Sequence, residues 1–135
     1  MAVDPGSKRV GLAVSDPTGT IAQALPTVPA EPAATLPSRL AEIAQAQDAR
    51  RIVVGLPLRL DGTHGPEAAA ARRLAHGLRQ ASRLPVEMVD ERLTTAEAER
   101  SMIAAGTRRA KRRAGIDGVA ATLLLQGHLD SKRAG

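Results

Sequence analysis

The chain has 135 residues, enough for one domain that buries roughly two-thirds of its unfolded surface, and no linker divides it. We therefore expect a single domain over residues 1–135. The absence of cysteine excludes a disulfide framework and a thiolate zinc site. No stretch reaches the roughly 18 apolar residues of a membrane span, and no basic segment followed by an apolar one opens the chain, so we expect a cytoplasmic protein.

The balance of charge favours a polyanionic partner. The chain contains 19 Lys and Arg against 14 Asp and Glu, with a sequence pI of about 10.9. Lysine and arginine bind phosphates with release of condensed counterions, although a basic solvated surface would have the same composition. Phe, Tyr and Trp are absent, so no ring can stack on unpaired bases. Recognition of a nucleic-acid backbone and its shape is thus favoured over base reading.

The first third of the chain predicts three strands and a helix. A short strand ends at Asp4, and apolar residues alternate over 10–16, which is typical of a strand. Residues 23–28 form a third short strand, and apolar residues over 36–47 recur at helical spacing. A normal strand has about 5–6 residues, so the first strand is unusually short. Either the start codon of this chain is assigned too late, or the edge of the core is weak.

The remainder alternates strands and helices. A continuous apolar run over 51–56 predicts a strand covered on both faces, and an alanine-rich helix follows over 67–81. A further strand covers 85–89, a helix with a capping box covers 94–105, and a last helix covers 116–129. The order βββαβαβαα predicts an α/β fold in which a mixed five-stranded sheet is flanked by helices on both faces.

Acidic residues follow two of these strands. Asp4 ends the first strand, and Asp90 and Glu91 end the last. Ligands of open α/β sheets gather outside the carboxyl ends of strands, so these acids are candidates for one site. Adjacent residues of a strand point to opposite faces, so only one of Asp90 and Glu91 can face Asp4. Asp4 could instead only initiate the following Pro-Gly turn, and Glu91 could only pair with Arg92.

A third acid, Asp117, lies in the first turn of the last predicted helix. Its neighbours at i+3, i+4 and i+7 are Ala120, Ala121 and Leu124, so we expect all four on the stripe that faces the sheet. A helix cap is the alternative role for Asp117. Clustered carboxylates disfavour one another's ionisation, and hard divalent cations relieve this. Oxygen ligands suit Mg²⁺ or Mn²⁺, and two such ions support phosphodiester hydrolysis.

Four motifs together resemble the YqgF (RuvX) family. They are DPGSKRVGLAVSD at 4–16, IVVGLPLRLDGTHGP at 52–66, DERLTTAEAE at 90–99 and IDGVAATLLLQGHLD at 116–130. The resemblance implies an RNase H-like fold and a divalent-metal endonuclease with Asp4, Glu91 and Asp117 as catalytic, metal-binding acids. It implies processing of the small-subunit ribosomal RNA precursor, with resolution of Holliday junctions in DNA as the alternative. It also favours Glu91 over Asp90.

Basic residues near these acids are candidates for binding phosphates. Lys8 and Arg9 lie on the turn after Asp4, and a basic run ends four residues before Asp117. The expected nucleic-acid-binding residues are Lys8, Arg9, Arg92, Arg108, Arg109, Lys111, Arg112 and Arg113.

Two other functions fit part of the pattern. An actin-like ATP-binding fold also begins with strand, Asp-x-Gly and strand, but it needs a second such loop, and Asp117-x-Val119 lacks the glycine. A non-catalytic factor that binds ribosomal RNA would keep the fold without turnover. No apolar dimer face is readable, so we expect a monomer or a weak homodimer.

Overall fold

A mixed five-stranded sheet forms the centre of the protein. The computed structural model describes residues 1–57, 63–90 and 119–134. The strands are β1 (Ala2–Asp4), β2 (Arg9–Ser15), β3 (Ala22–Pro29), β4 (Ile52–Leu56) and β5 (Val86–Asp90), in the spatial order β3-β2-β1-β4-β5. β1, β2 and β3 pair antiparallel, whereas β4 pairs parallel with both β1 and β5. The predicted α/β architecture with a mixed five-stranded sheet is confirmed.

The central strand β1 is only three residues long. Ala2 and Val3 are fully buried, and both pair with β2 on one side and with β4 on the other. The Val53 N–H donates to the Met1 carbonyl at 2.8 Å, which extends the pairing by one residue. The strand is short, as its sequence predicts, but it is covered on both faces and held along both edges.

Helices cover the two faces of the sheet unequally. The helices α1 (Leu36–Ala46) and α2 (Pro66–Ser82) pack on one face, where the larger apolar side chains collect. The helix α3 (Val119–Ala134) packs on the other face against small residues of the strands, including Ala2 and Ala13. Small residues let a helix lie close to a sheet, so α3 approaches the backbone of the central strands.

The elements differ from the sequence prediction in three places. β3 extends over eight residues, where 23–28 had been expected, because it pairs with the whole length of β2. The register of this pairing shifts between Val10 and Leu12. Ala120 is exposed, so its assignment to the sheet-facing stripe was wrong, whereas Ala121 and Leu124 are buried there as expected. The helix continues to Ala134, past the predicted end at 129.

Some predictions concern residues outside the described ranges. The predicted helix over 94–105 and the first residues of the last predicted helix belong to this group. Within 1–57, 63–90 and 119–134, no helix is long and apolar enough to cross a membrane.

The connection between β2 and β3 is organised by one carboxylate. Asp16 accepts hydrogen bonds from the backbone N–H of Thr20 at 2.7 Å and of Ile21 at 2.9 Å, and from the hydroxyl of Thr18. The Ile21 N–H, the Thr18 hydroxyl and the Thr20 N–H lower the pKa of Asp16 from 3.8 to about 2, because all three stabilise the charged form.

Asp16→Asn should therefore lower stability in a pH-dependent way. The native pKa lies below the unfolded value, so the native state binds fewer protons between these two values, and the contribution of the charge is present above about pH 4. The difference in urea midpoint between wild type and variant should be constant from pH 5 to 7 and should shrink as the pH falls toward 3. A difference that grew on acidification would contradict this role of Asp16.

Candidate functional site

Asp4 lies at the carboxyl end of the central strand. It is partly exposed, whereas the residues before it in β1 are buried. Side chains alternate along a strand, so Asp4 shares the face of Ala2, which packs against α3, and not the face of Val3, which packs against α1 and α2. The carboxylate therefore lies at the edge of the sheet on the α3 face.

The positions beside Asp4 on both neighbouring strands are glycines. Asp4 pairs with Gly11 of β2, and the parallel register of Val3 with Val54 puts Gly55 of β4 next to Asp4 on the other side. Neither glycine contributes a side chain, so the α3 face of the sheet is free of neighbouring strand side chains on both sides of the carboxylate. A ligand has room to approach there.

No described residue holds the Asp4 carboxylate. Among the hydrogen bonds and ion pairs within residues 1–57, 63–90 and 119–134, none involves this side chain. A partly exposed carboxylate with two uncommitted oxygens fits a hard cation such as Mg²⁺. The same ranges contain no group of three His, Cys, Asp or Glu side chains that could hold a metal ion, and the two other predicted acids, Glu91 and Asp117, lie outside them.

Asp90 is separated from Asp4 by the sheet. Along β5, Glu87 contacts His128 of α3 and Val89 packs against the α3 core, whereas Met88 packs against the core under α1 and α2. The alternation places Asp90 on the side of Met88. Asp90 and Asp4 therefore lie on opposite faces.

Two of the predicted basic residues lie at the same edge as Asp4. Lys8 and Arg9 are exposed, and Arg9 begins β2 two residues before Gly11, the partner of Asp4. Arg9 Nη1 donates to Thr27 Oγ1 of β3 at 3.3 Å, which directs the guanidinium along the surface of the sheet. The other six predicted basic residues, Arg92, Arg108, Arg109, Lys111, Arg112 and Arg113, lie outside the described residues.

Gly6 is required in the turn that follows Asp4. A Cβ atom on Gly6 would lie 2.3 Å from the carbonyl oxygen of Arg9, well inside van der Waals contact. Close approach of the backbone, and not a left-handed φ, is therefore the reason for glycine. The tight turn brings Lys8 and Arg9 back toward the end of β1.

Gln126 is a positioning residue that the sequence reasoning missed. Its Nε2 donates to the Thr20 carbonyl at 2.9 Å, and its Oε1 accepts from the Ala22 N–H at 2.9 Å. Both partners belong to the chain segment that Asp16 organises. The only signal in the sequence is a glutamine directly after three leucines, on a helix whose neighbouring positions are apolar. The pair of bonds fixes α3 against the sheet.

A second polar contact attaches α3 to β5. His128 Nε2 lies 3.9 Å from Glu87 Oε2. Burial lowers the pKa of His128, assisted by Lys132, Arg51 and the amino terminus, against an opposing effect of Glu87. The contact is long and opposed by burial of the ring, so it is a weak one, and His128 has a packing role between α3 and β5.

The comparisons with known proteins identify the class and the family. A family model described as "RuvX: Holliday junction resolvase" matches residues 1–131. A protein of Chloroflexus aggregans is 42% identical over 133 residues, which cover 98% of this chain and 94% of the relative. A protein of Bacillus thuringiensis is 43% identical over 134 residues, which cover 98% of both chains. Each of these relatives is named "Putative pre-16S rRNA nuclease".

The mixed sheet, with helices on both faces and an acid at the end of its central strand, defines an α/β protein of the RNase H-like nuclease class. The chain belongs to the RuvX family. The resemblance based on four motifs is confirmed.

Gly6→Ala should destabilise the protein, because the new Cβ would displace the turn beside Asp4. We expect a loss of about 1–3 kcal/mol in the free energy of unfolding, as for other overpacked sites. Gly127→Ala is the matched control, since Gly127 is exposed on α3 and alanine there should add up to about 1 kcal/mol. Urea unfolding followed by circular dichroism checks both, and an unchanged midpoint for Gly6→Ala would contradict the steric argument.

Gln126→Leu should cost about 1–3 kcal/mol of unfolding free energy, because the Ala22 N–H and the Thr20 carbonyl lose their partner. Gln45→Leu, at an exposed position of α1, should change stability by less than about 0.5 kcal/mol. Equal losses in the two variants, measured by thermal unfolding, would show that Gln126 does not fix α3.

Proposed function

We propose that this protein is a divalent-metal-dependent endonuclease that acts on structured RNA, with the precursor of the small-subunit ribosomal RNA as its substrate. The observation that carries the proposal is the Asp4 carboxylate, which is partly exposed at the end of the central strand, without a partner among the described residues and between two glycines. The family and the names of the relatives support the nuclease reaction.

Glu91 is the second acid of the proposed site. Asp90 lies on the opposite face from Asp4, which favours its neighbour Glu91 over Asp90 as the residue that shares a cation with Asp4. Glu87 and Val89 lie on the α3 face, and in the sequence position 91 follows them at the same spacing of two. The β5 pattern therefore supports Glu91, in agreement with the resemblance.

Asp117 is the third acid. The buried positions Ala121 and Leu124 of α3 follow it by four and seven residues, which is the spacing of one helical face. This spacing agrees with the sequence-based prediction for Asp117, and Gln126 fixes α3, on which Ala121 and Leu124 lie.

Mg²⁺ or Mn²⁺, held by Asp4, Glu91 and Asp117, would supply an activated water and charge stabilisation of the leaving oxygen. The residues of the chain have separate tasks around this chemistry. Lys8 and Arg9 would bind phosphates of the substrate at the Asp4 edge, together with Arg92 and the basic run at 108–113. The glycines beside Asp4 would let the scissile phosphate approach the carboxylate.

The choice of RNA over a DNA junction rests on the names of the relatives, whereas the family description names the junction. A ribosomal RNA substrate would place the protein in the cytoplasm. One active site per chain suffices to cut a single RNA strand, which agrees with a monomer or a weak homodimer.

Asp4→Asn should reduce cleavage by more than about a hundredfold, because changes in residues that only orient metal ligands already cost 10–100-fold. Binding of the RNA should be retained, since the basic residues are unchanged. The assay is cleavage of labelled ribosomal RNA precursor and of a labelled four-way DNA junction with Mg²⁺, Mn²⁺ or EDTA.

The control is Asp48→Asn, which removes one exposed carboxylate at a left-handed position that asparagine tolerates, φ 54°, and should leave cleavage unchanged. Full activity of Asp4→Asn would reject the site. RNA binding without cleavage by the wild type under every cation would identify a non-catalytic RNA-binding factor instead, and preferential cleavage of the junction would make DNA the substrate.

A further inference from the structure

The flank of α2 that borders β5 carries a row of basic side chains. Arg72, His76, Arg79 and Arg83 follow one another at helical spacings of four, three and four residues, so they share one face of α2 and its C-cap. All four are exposed. We call this set the α2 basic stripe.

Two contacts show on which side of α2 this stripe lies. The Arg79 guanidinium donates to the Val86 carbonyl at the start of β5, through Nη2 at 3.0 Å and Nε at 3.3 Å. On the other side of the helix, Gly77 lies against Pro37 of α1, where a Cβ would be 2.9 Å from the proline ring. The stripe therefore borders β5, the last strand of the sheet, and lies away from α1.

The helix that carries the stripe has few acids of its own. The one acidic residue of α2 is Glu67 in its first turn, and no Asp or Glu lies four residues before or after Arg72 or Arg79. Glu87, four residues after Arg83, lies beyond the helix in β5 and contacts His128. Glu87 is directed away from the stripe, since its carboxylate lies 3.9 Å from His128 Nε2 on the α3 side. Acids at i±4 on the helix would have paired with these arginines, and Arg72 and Arg79 have none at that spacing.

The direction of α2 connects the stripe to the Asp4 edge. β4 runs parallel to β1, so α2, which follows β4, begins at the edge where Asp4 lies and runs back along the sheet. Arg72 is the stripe residue nearest to that edge, and its guanidinium contacts the His64 ring just before the helix begins. From Arg72 to Arg83 the stripe extends about 16 Å, at 1.5 Å per residue.

We propose that the α2 basic stripe is a second binding surface for the phosphate backbone of the RNA substrate, and that a double-helical segment beside the cleaved strand lies along it. The proposal rests on the proposed nuclease function. About 16 Å spans several phosphates of one strand, since these follow at about 3.4 Å along a duplex axis. The absence of aromatic residues from the chain agrees with recognition of a duplex by its backbone and shape.

The test compares two double variants that lose equal charge. Arg72→Gln/Arg83→Gln changes the ends of the stripe and leaves Arg79, which has a structural contact, in place. Arg50→Gln/Arg51→Gln removes two exposed arginines at the start of β4, at the opposite edge from Asp4. Both are made in the Asp4→Asn protein, so that binding is measured without cleavage.

The probe is a fluorescein-labelled RNA stem-loop with a 20-base-pair stem, and binding is followed by anisotropy from 50 to 300 mM KCl. For Arg72→Gln/Arg83→Gln we expect binding to weaken about tenfold at 150 mM, and the slope of log K against log salt to fall by about 1.4–1.8, the value for two lost phosphate contacts. The control should keep the wild-type slope. Arg72→Lys/Arg83→Lys should retain most of the slope because it preserves charge.

The outcomes show separately whether the proposal for the α2 basic stripe fails and whether the proposed nuclease function fails. An unchanged slope in Arg72→Gln/Arg83→Gln, or an equal fall in the control, would overturn the stripe while cleavage by the wild type still supported the nuclease. A protein that neither binds nor cleaves RNA would reject both. Equal loss of binding to a DNA duplex of the same length would keep the surface but reject its assignment to RNA. If the double variant unfolds, Arg72→Gln alone should lower the slope by about 0.7–0.9.

Discussion

The pairing of the three-residue strand β1 in the centre of the sheet is the constraint on which the rest of the structure depends. A strand this short contributes few hydrogen bonds of its own, so it is held by β2 and β4 on both sides and by apolar cores on both faces. Because the strand is completely enclosed, its last residue is fixed in place. Asp4 thereby obtains a rigid position without a hydrogen bond or ion pair from any described residue to its own carboxylate.

The two faces of the sheet differ in the size of the side chains that they bury. The α1 and α2 face holds the larger apolar side chains and supplies most of the buried volume. On the α3 face the strands present mainly alanines and glycines, with Val53 and Val89, and this face carries the Asp4 carboxylate. Small residues give α3 a close approach but little apolar area, and the hydrogen bonds of Gln126 compensate for that by docking the helix at the β2–β3 connection. The larger apolar core and the Asp4 carboxylate thus lie on opposite sides of one sheet.

Basic residues lie at two places relative to Asp4. Lys8 and Arg9 are at the carboxylate edge, where the Gly6 turn returns them toward β1. The α2 basic stripe begins at the same edge and continues along β5. A nucleic acid that contacted both sets of basic residues would be bound at the scissile phosphate and along its neighbouring duplex. Its affinity would then come from a long contact with the phosphate backbone and not from base recognition.

The family and the order of the described strands and helices were predictable from the sequence, because hydrophobic periodicity and short motifs are local properties of the chain. The sequence also predicted that Asp4 ends a short strand. That Asp90 and Asp4 lie on opposite faces of the sheet is visible only in the folded protein. Alternation separates the two faces of β5, but the contacts of Met88 and Val89 are needed to show which face is turned toward α3. The same holds for the exposure of Ala120, for Gln126 and for the side of α2 that its arginines share. Each of these depends on which surface a helix presents to the sheet, and that is set by contacts between residues far apart in the chain.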